Sequence, residues 1–404
     1  MKPFDPRSAP DAAFIASMRS RFSVEHEIDR VLTDKMERRG GPGFVGIELT
    51  DITAGASDLI RTTAGDDFSI NNCRWLHGGA SKLQAAFDLS WFPPGAHERQ
   101  TIALVLRMAL PESIVETSRR REYAACKQMR DVVPVPECYW LDDDATYLPH
   151  PAMIYAFNEG VTRPVAQPAQ QVTGIGINFG PDLREPLAHD FITHLAAIHR
   201  ADPEPLLTNG VFDRAEVGNN LALLRQIDWW WRVWEEDHGE AVPLVPVAAQ
   251  WLRANAPALD HVSVVHGDFR SGNFLFSEHE QSITAWLDWE LAVLGDRHQD
   301  LTWTMSPYFG HYAEDGHTFL VSGLVSKDEF LQRYAAISGL SVDPERLAYF
   351  SIFNTFVTTV HMFASAYRVA AQSKTHQDIV VAWLAMIGPI ALANLADQLE
   401  EAMQ

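Results

Sequence analysis

The chain has 404 residues, of which 47% are hydrophobic and 21% are charged. This length exceeds one compact core and the composition argues against disorder, so we expect two lobes or domains. The net charge of −21 argues against nucleic acid and anionic membranes as partners, because such partners require basic surfaces. A negative surface would favour a cationic ligand, although keeping the protein soluble is the simpler explanation.

The cysteines and the apolar runs bear on the compartment. The three cysteines form no CxxC pair and no zinc-binding spacing, and an odd count suits a reducing environment, which predicts a cytoplasmic protein. Residues 1–14 contain no apolar run typical of a signal peptide. The apolar run 349–367 includes Asn354 and His361 and predicts a buried helix, not a membrane span.

The first predicted element is a helical region. Apolar residues recur at helical spacing over residues 12–39, and the glycines and proline at 40–43 end the pattern. We therefore assign residues 1–43 to an N-terminal helical extension. The sequence is compatible with a cap on the rest of the protein or with a contact in a homodimer.

Residues 44–157 are predicted to form a nucleotide-binding lobe rich in β-structure. Alternating apolar residues over 72–107 indicate strands on either side of a turn. A glycine-bearing loop in this stretch would let backbone N–H groups approach phosphates, although a plain hairpin turn explains the same residues. The candidate cofactor-binding residues of the loop are Gly78, Gly79, Ser81 and Lys82.

A charged pair is predicted beside this loop. The apolar strand 102–106 ends at Arg107, whose guanidinium fork suits both phosphate and carboxylate. Glu122, in a helix predicted over 118–129, is its natural carboxylate partner. We interpret the pair as a device that positions nucleotide phosphates, with an ordinary salt bridge as the alternative for each residue.

Residues 158–404 are predicted to form a larger, mainly helical lobe, after strands at 137–141 and 152–157. The glycines at 174–180 have the spacing GxGxxxG, which differs from the dinucleotide-binding fingerprint. Residues 229–231 are three tryptophans that suit an aromatic wall for an apolar ligand or packing between helices. Further helices are expected over 183–200, 216–236, 327–338, 344–368 and 375–402.

The segment 264–303 has the most informative pattern in the chain. Apolar runs around a polar loop predict a strand, a loop, a strand, a turn and a strand. We expect His266 and Asp300 to hold the backbone of this loop in place. The polar residues of the pattern are His266, Asp268, Arg270, Asn273 and Asp288.

An acid, an amide five residues later and a second acid after the next strand suit phosphoryl transfer, which depends on positioning and charge neutralisation. Asp268 is the candidate base that accepts the proton of an acceptor hydroxyl. Asn273 and Asp288 offer the oxygen ligands that Mg²⁺ prefers. Arg270 is the candidate that meets the developing charge on the phosphoryl oxygens.

The segment resembles the aminoglycoside phosphotransferase-like kinase superfamily. Asp-Trp-Glu at 288–290 and Leu-Gly-Asp at 294–296 are most similar to the branch of kinase-like domains associated with acyl-CoA dehydrogenases. The resemblance implies an α+β, two-lobed protein-kinase-like fold with a small β-rich N-lobe and a larger, mainly helical C-lobe. By the same resemblance, the C-lobe, residues 158–404, is expected to be catalytic and to bind the acceptor. Relatives commonly carry Asn in the place of Lys82, and Arg107 stands in the place of the strand lysine of many kinases.

The resulting prediction is an ATP- and Mg²⁺-dependent phosphotransferase that acts on a hydroxyl of a small molecule. An apolar, aromatic or acyl-type acceptor is favoured over an amino sugar. One alternative is a pseudokinase-like regulatory or interaction module that binds nucleotide without turnover. Another is a metal-dependent hydrolase that uses His266, Asp268 and Asp288, although these supply few ligands.

Overall fold

The computed structural model describes residues 5–76, 82–165, 175–376, 381–382 and 385–404. The predicted fold class is confirmed: an N-terminal β-sheet region precedes a mainly helical C-terminal part, with 46% helix and 15% strand. The sheet and the helices together form the two-lobed arrangement expected of a kinase-like fold.

Three helices precede the sheet, where the sequence predicted one helical region. The predicted region divides into α1 (Ala12–Arg21) and α2 (His26–Arg38), and Asp11 caps α1 by accepting from Phe14 N. The third helix, α3 (Leu49–Ala64), was not predicted. It packs against the β-sheet, while α1 and α2 contact helix α7 of the C-lobe.

The N-lobe sheet is antiparallel and has five strands in the order β1-β2-β3-β5-β4. One face packs on α3, where Ile52 and Ile60 meet Phe87 and Leu104 in a common core. Helix α4 (Arg119–Met129) begins after its N-cap Ser118, as predicted. The strands are β1 (Ser69–Trp75), β2 (Leu83–Trp91), β3 (Gln100–Met108), β4 (Cys138–Asp142) and β5 (Ala152–Ala156).

The C-lobe is built around long helices whose apolar faces form two large cores. A π-helical turn, His361–Ser365, joins α11 to α12. The C-terminal helix begins at Gly388, whereas the predicted range was 375–402; residues 377–380 and 383–384 of that range lie outside the described residues, and residues 381–382 are helical. The helices are α5 (Gly180–Arg200), α6 (Glu204–Thr208), α7 (Leu221–Asp237), α8 (Leu244–Ala254), α9 (His298–Thr304), α10 (Lys327–Ser338), α11 (Pro344–Val360), α12 (Ala366–Ala371) and α13 (Gly388–Met403).

The pattern predicted for the segment 264–303 is confirmed by two short antiparallel pairs, β6 with β9 and β7 with β8. A single 3-10 turn, Trp289–Leu291, follows β8. A further small sheet lies between α9 and α10. These strands are β6 (Ser263–Val265), β7 (Phe274–Ser277), β8 (Ser282–Trp286), β9 (Val293–Gly295), β10 (His311–Tyr312), β11 (Phe319–Val321) and β12 (Val325–Ser326).

One helical run, Pro344–Ala371, is long and apolar enough to cross a membrane if length and composition alone are considered. In the structure, 61% of its most apolar window is buried inside the protein. This burial agrees with the prediction of a buried helix over 349–367.

A buried ion network joins the N-terminal helices to the C-lobe. Lys35 of α2 lies 2.9 Å from Glu236 and 3.1 Å from Asp237 of α7. Arg39 bonds to Asp237 at 2.7 Å and to Glu112 at 2.8 Å. Burial would raise the pKa of Asp237, but Lys35 and Arg39 outweigh it and lower that pKa to about 2. The helical extension is therefore part of the folded body.

We predict that Asp237→Asn lowers the free energy of unfolding by about 3–5 kcal/mol, because it leaves two buried cations without their shared carboxylate. The contribution of this carboxylate should be complete above about pH 4 and should fall as the pH drops toward 2, since its pKa is depressed in the fold. Urea unfolding as a function of pH measures both effects. Glu204→Gln, which breaks an exposed pair with Arg214, should change little.

Candidate active site

The segment 264–303 has an unusual backbone conformation at two positions. Gly267 has a φ of +83°, and a Cβ there would lie 2.6 Å from the carbonyl oxygen of Leu291. Asp288, after β8, is left-handed with φ 64° and ψ 52°. Such a conformation is costly for a non-glycine residue and is a mark of functional sites.

Asp300 holds the loop backbone, as predicted. Its carboxylate accepts from the amide of His266 at 2.7 Å and from the amide of Gly267 at 2.8 Å. A buried His199 lies 3.1 Å from the same carboxylate. The His266 ring accepts from Asp268 N at Nδ1 and therefore donates from Nε2 to the carbonyl of Leu287. Its role is thus structural, as the sequence suggested.

Three side chains donate to the carboxylate of Asp268. Oδ1 accepts from Trp303 Nε1 at 2.6 Å and from Arg270 Nε at 2.8 Å, while Oδ2 accepts from Asn273 Nδ2 at 2.6 Å. Arg270 also lies over the ring of Phe309, 4.9 Å from its centroid. The structure thus places Arg270 on Asp268, although the sequence assigned it to the phosphoryl oxygens.

The amide of Asn273 is oriented by the same loop. Its Nδ2 donates to the carboxylate of Asp268 and also to the Asp268 carbonyl oxygen at 2.9 Å. Because the nitrogen faces Asp268, the amide oxygen is the atom left to meet a ligand. An amide oxygen and the Asp288 carboxylate suit Mg²⁺, which usually takes few protein ligands and completes its shell with phosphates and water.

Arg107 lies at the centre of the site and makes the predicted pair with Glu122, whose Oε1 is 3.1 Å from Nε. The same guanidinium bonds to Asp288 Oδ1 at 2.5 Å and lies 3.4 Å from Glu290 Oε1. Burial raises the pKa of Asp288 to about 7, with Glu290 and Glu122 adding to the shift and Arg107 opposing it. The guanidinium thus connects the strand β3, the helix α4 and the turn after β8.

Lys82 is buried and lies 3.2 Å from Glu290 Oε2. It also donates to Ser113 Oγ at 3.0 Å, so the structure pairs it within the protein, where the sequence suggested a phosphate ligand. Arg119 and the hydroxyl of Thr117 donate to Glu290 as well, at 2.7 and 2.6 Å. The other loop residues that the sequence selected, Gly78, Gly79 and Ser81, lie outside the described residues.

The sequence interpretation missed two contributors to this site. Glu290 forms ion pairs with Lys82, Arg107 and Arg119. In the sequence, only its position two residues after Asp288 indicated a role. Trp303 carries no local signal, because its contact with Asp268 spans 35 residues. Long-range contacts of this kind follow from the packing of α9 on the loop.

His361 lies in the π-helical turn, a feature often found at functional sites. Burial lowers its pKa to about 4, against the opposing effect of Asp268 and Glu290. Its ring stands edge-on to Trp230, with centroids 4.7 Å apart, and no hydrogen-bond partner within the described chain reaches Nε2. Trp229 and Trp230 are themselves buried in the helical core, which favours the packing interpretation of these tryptophans.

The family model of the phosphotransferase enzyme family matches residues 96–350, and the chain belongs to this family. A plant relative, "Probable acyl-CoA dehydrogenase IBR3" of Arabidopsis thaliana, is 28% identical over 272 residues. That match covers 62% of this chain and 31% of the plant protein, so the chain spans about a third of that relative.

Solved structures show the same fold. A candidate aminoglycoside phosphotransferase of Ralstonia eutropha aligns with a TM-score of 0.56 and 21% identity, over 85% of this chain and 98% of that one. A GDP and kanamycin complex of an APH(2″) enzyme aligns with a TM-score of 0.50 and 15% identity, over 84% of this chain and 98% of that one. These likenesses establish the architecture on which the site is built.

We predict that Asp300→Asn loosens the catalytic loop, because a single amide oxygen replaces the two carboxylate oxygens that accept from His266 and Gly267. The free energy of unfolding should fall by about 1–3 kcal/mol. Hydrogen exchange should accelerate at those two amides. Asp315→Asn is the matched control, since Asp315 accepts from two backbone amides in an exposed turn and should leave the loop unaffected. Unchanged protection at residues 266 and 267 would contradict the assignment.

Proposed function

We propose that the protein transfers the γ-phosphoryl group of ATP, with Mg²⁺, to a hydroxyl of a small molecule. The observation that carries the proposal is the arrangement around Asp268. Its carboxylate is fixed by three donors, Arg270, Asn273 and Trp303. Asp288, held by Arg107, completes the set. Membership of the phosphotransferase enzyme family supports this chemistry.

In the proposed reaction, Asp268 orients the acceptor hydroxyl and accepts its proton as the oxygen attacks the γ-phosphorus and the bond to the β-phosphate oxygen breaks. Asn273 and Asp288 would hold Mg²⁺, which supplies positive charge to the phosphates when bound. Arg107 would exchange part of its contact with Asp288 for a phosphate oxygen, since its fork serves either partner. Glu122 keeps Arg107 in place during that exchange.

The charge balance at the site supports an acceptor that is not strongly cationic. Four cations pair with four carboxylates, so this cluster has no excess of carboxylates to attract an amino sugar. The apolar ring of Phe309 also lies under Arg270, close to Asp268. Similarity to the plant acyl-CoA dehydrogenase supports an acyl-type or other apolar hydroxyl compound. The four pairs involve Lys82, Arg107, Arg119 and Arg270 with Glu122, Asp268, Asp288 and Glu290.

The net charge and the cysteines bear on the binding partners and on the cellular compartment of the protein. We propose a small-molecule acceptor and no binding of nucleic acid or membrane, because the net charge is −21. The three cysteines are free, which supports a cytoplasmic location. A homodimer stays a proposal that sedimentation of the purified protein tests.

We predict that Asp268→Ala lowers phosphoryl transfer about 10²–10⁴-fold, because the acceptor loses its orienting base. Binding of ATP with Mg²⁺ should persist, since the nucleotide contacts lie on other residues. Calorimetry measures binding, and ³¹P NMR follows transfer to a panel of hydroxyacyl-CoA esters, aromatic alcohols and amino sugars. Transfer by the wild type that survives in Asp268→Ala would refute the base assignment. Nucleotide binding without any transfer or hydrolysis by the wild type would instead favour the regulatory module.

We predict that Asp288→Asn abolishes the Mg²⁺-dependent part of ATP binding, since the amide lacks the charge that a hard cation requires. The measurement compares ATP affinity with and without Mg²⁺ in the wild type and the variant. Asp315→Asn, in an exposed turn, is the control and should keep the metal effect. An equal Mg²⁺ effect in Asp288→Asn would exclude this carboxylate as a ligand.

The metal-hydrolase alternative gains no support from the structure. Among the described residues, no group of three or more His, Cys, Asp or Glu side chains is arranged to hold a metal ion. The His266 ring is also committed to the loop, since it bonds to Asp268 N and to the Leu287 carbonyl.

A further inference from the structure

We propose that Trp303 is a positioning residue whose indole N–H fixes the carboxylate of Asp268 so that Oδ2 is the atom that receives the acceptor proton. This inference rests on the proposed function and assigns a role to a residue outside the phosphotransfer motif. It begins from a hydrogen bond of 2.6 Å between Trp303 Nε1 and Asp268 Oδ1.

Helix α9 contacts four successive residues of the catalytic loop. Asp300 accepts from the amides of residues 266 and 267. Three positions further along the helix, Trp303 donates to the side chain of Asp268, and the hydroxyl of Thr304 donates to the carbonyl of Phe269 at 2.6 Å. Residues spaced by three and four share one helix face, so a single face of α9 holds both the main chain and the reactive side chain.

The helix is itself held firmly. Asn354 of α11 donates to the carbonyl of Gln299 and to the hydroxyl of Thr302, both at 2.9 Å. At the start of α9, the buried ring of His298 bonds to Asp296 at 2.6 Å and accepts from the amide of Asp343 at 2.9 Å. Because both ends of α9 are fixed to neighbouring elements, the position of the Trp303 indole is fixed too.

The distribution of donors distinguishes the two carboxylate oxygens. A carboxylate offers about four lone-pair positions, two on each oxygen. Trp303 and Arg270 occupy both positions on Oδ1, whereas Asn273 occupies one on Oδ2. Within the described part of the chain no other side chain donates to Oδ2, so its remaining position is available to a hydroxyl, beside the Asn273 amide. Trp303 therefore selects the reacting oxygen by filling the other one.

The uncharged indole of Trp303 also shares Asp268 Oδ1 with the charged guanidinium of Arg270. Arg270 lies over Phe309, and the Trp303 ring packs on the same Phe309 with centroids 5.1 Å apart. The two donors approach Oδ1 from the side of Phe309, so loss of the indole N–H would leave Arg270 as the remaining one of the two on Oδ1. The carboxylate would then be held less firmly against rotation about the terminal side-chain bond, which is intrinsically soft.

The test distinguishes the effect of the indole N–H on the reaction from the effect of the indole ring. Replacing Trp303 by 3-benzothienylalanine keeps the ring shape and removes only the N–H, and Trp303→Phe removes the N–H and part of the ring. With MgATP as substrate and water as acceptor, both variants should lower kcat for phosphate release about tenfold, with the KM for MgATP unchanged. Trp251→Phe is the control, because Trp251 is half-buried and stacks on Tyr349 in another part of the C-lobe.

A second measurement needs no turnover. The indole ¹H–¹⁵N signal that disappears in Trp303→Phe should move upfield in Asp268→Asn, since an amide accepts a weaker hydrogen bond than a carboxylate. An unmoved signal, or wild-type kcat in the 3-benzothienylalanine variant, would overturn the positioning role. A wild type that transfers phosphate neither to water nor to the acceptor panel, but shows a shifted indole signal, would refute the proposed function and leave the contact between the two side chains established.

Discussion

A buried charge must be paired, and the pairing of Arg107 organises the cleft. Its guanidinium belongs to a strand of the N-lobe, yet two of its three carboxylates, Asp288 and Glu290, belong to the segment after β8. Glu122 on α4 supplies the third. Removing any one partner would leave charge in a desolvated place, which is costly. The relative placement of the sheet, α4 and the catalytic segment is therefore fixed by electrostatics as well as by apolar packing.

The site separates two tasks that a phosphotransferase must combine. In the proposed reaction, Arg107 would neutralise phosphate charge and would exchange part of its contact with Asp288 for a phosphate oxygen. The loop around Asp268 instead needs a constant geometry, and neutral donors with backbone bonds supply most of it. Oriented dipoles contribute most when they are already in place before the reaction. The family relationship explains the shared architecture.

Local sequence patterns predicted the loop, its strands and the pair of Arg107 with Glu122, because these depend on residues close in the chain or on strong spacing. Helix α3 escaped prediction because its threonines and Gly55 are poor helix formers. The structure shows why glycine is needed there: a Cβ at Gly55 would lie 2.4 Å from the carbonyl oxygen of Tyr147. The burial of Lys82 was likewise hidden, since its partner Glu290 is more than two hundred residues away.

The ion network under the N-terminal helices has a practical consequence for anyone who divides the protein into parts. The family match covers residues 96–350, but Lys35 and Arg39, which neutralise Asp237, lie before it. A fragment cut at the edges of that match would remove both cations that pair with Asp237 and would expose the apolar face that α2 covers. Such a fragment should be insoluble. The part of the chain that folds as one unit is therefore longer than the part that matches the family model.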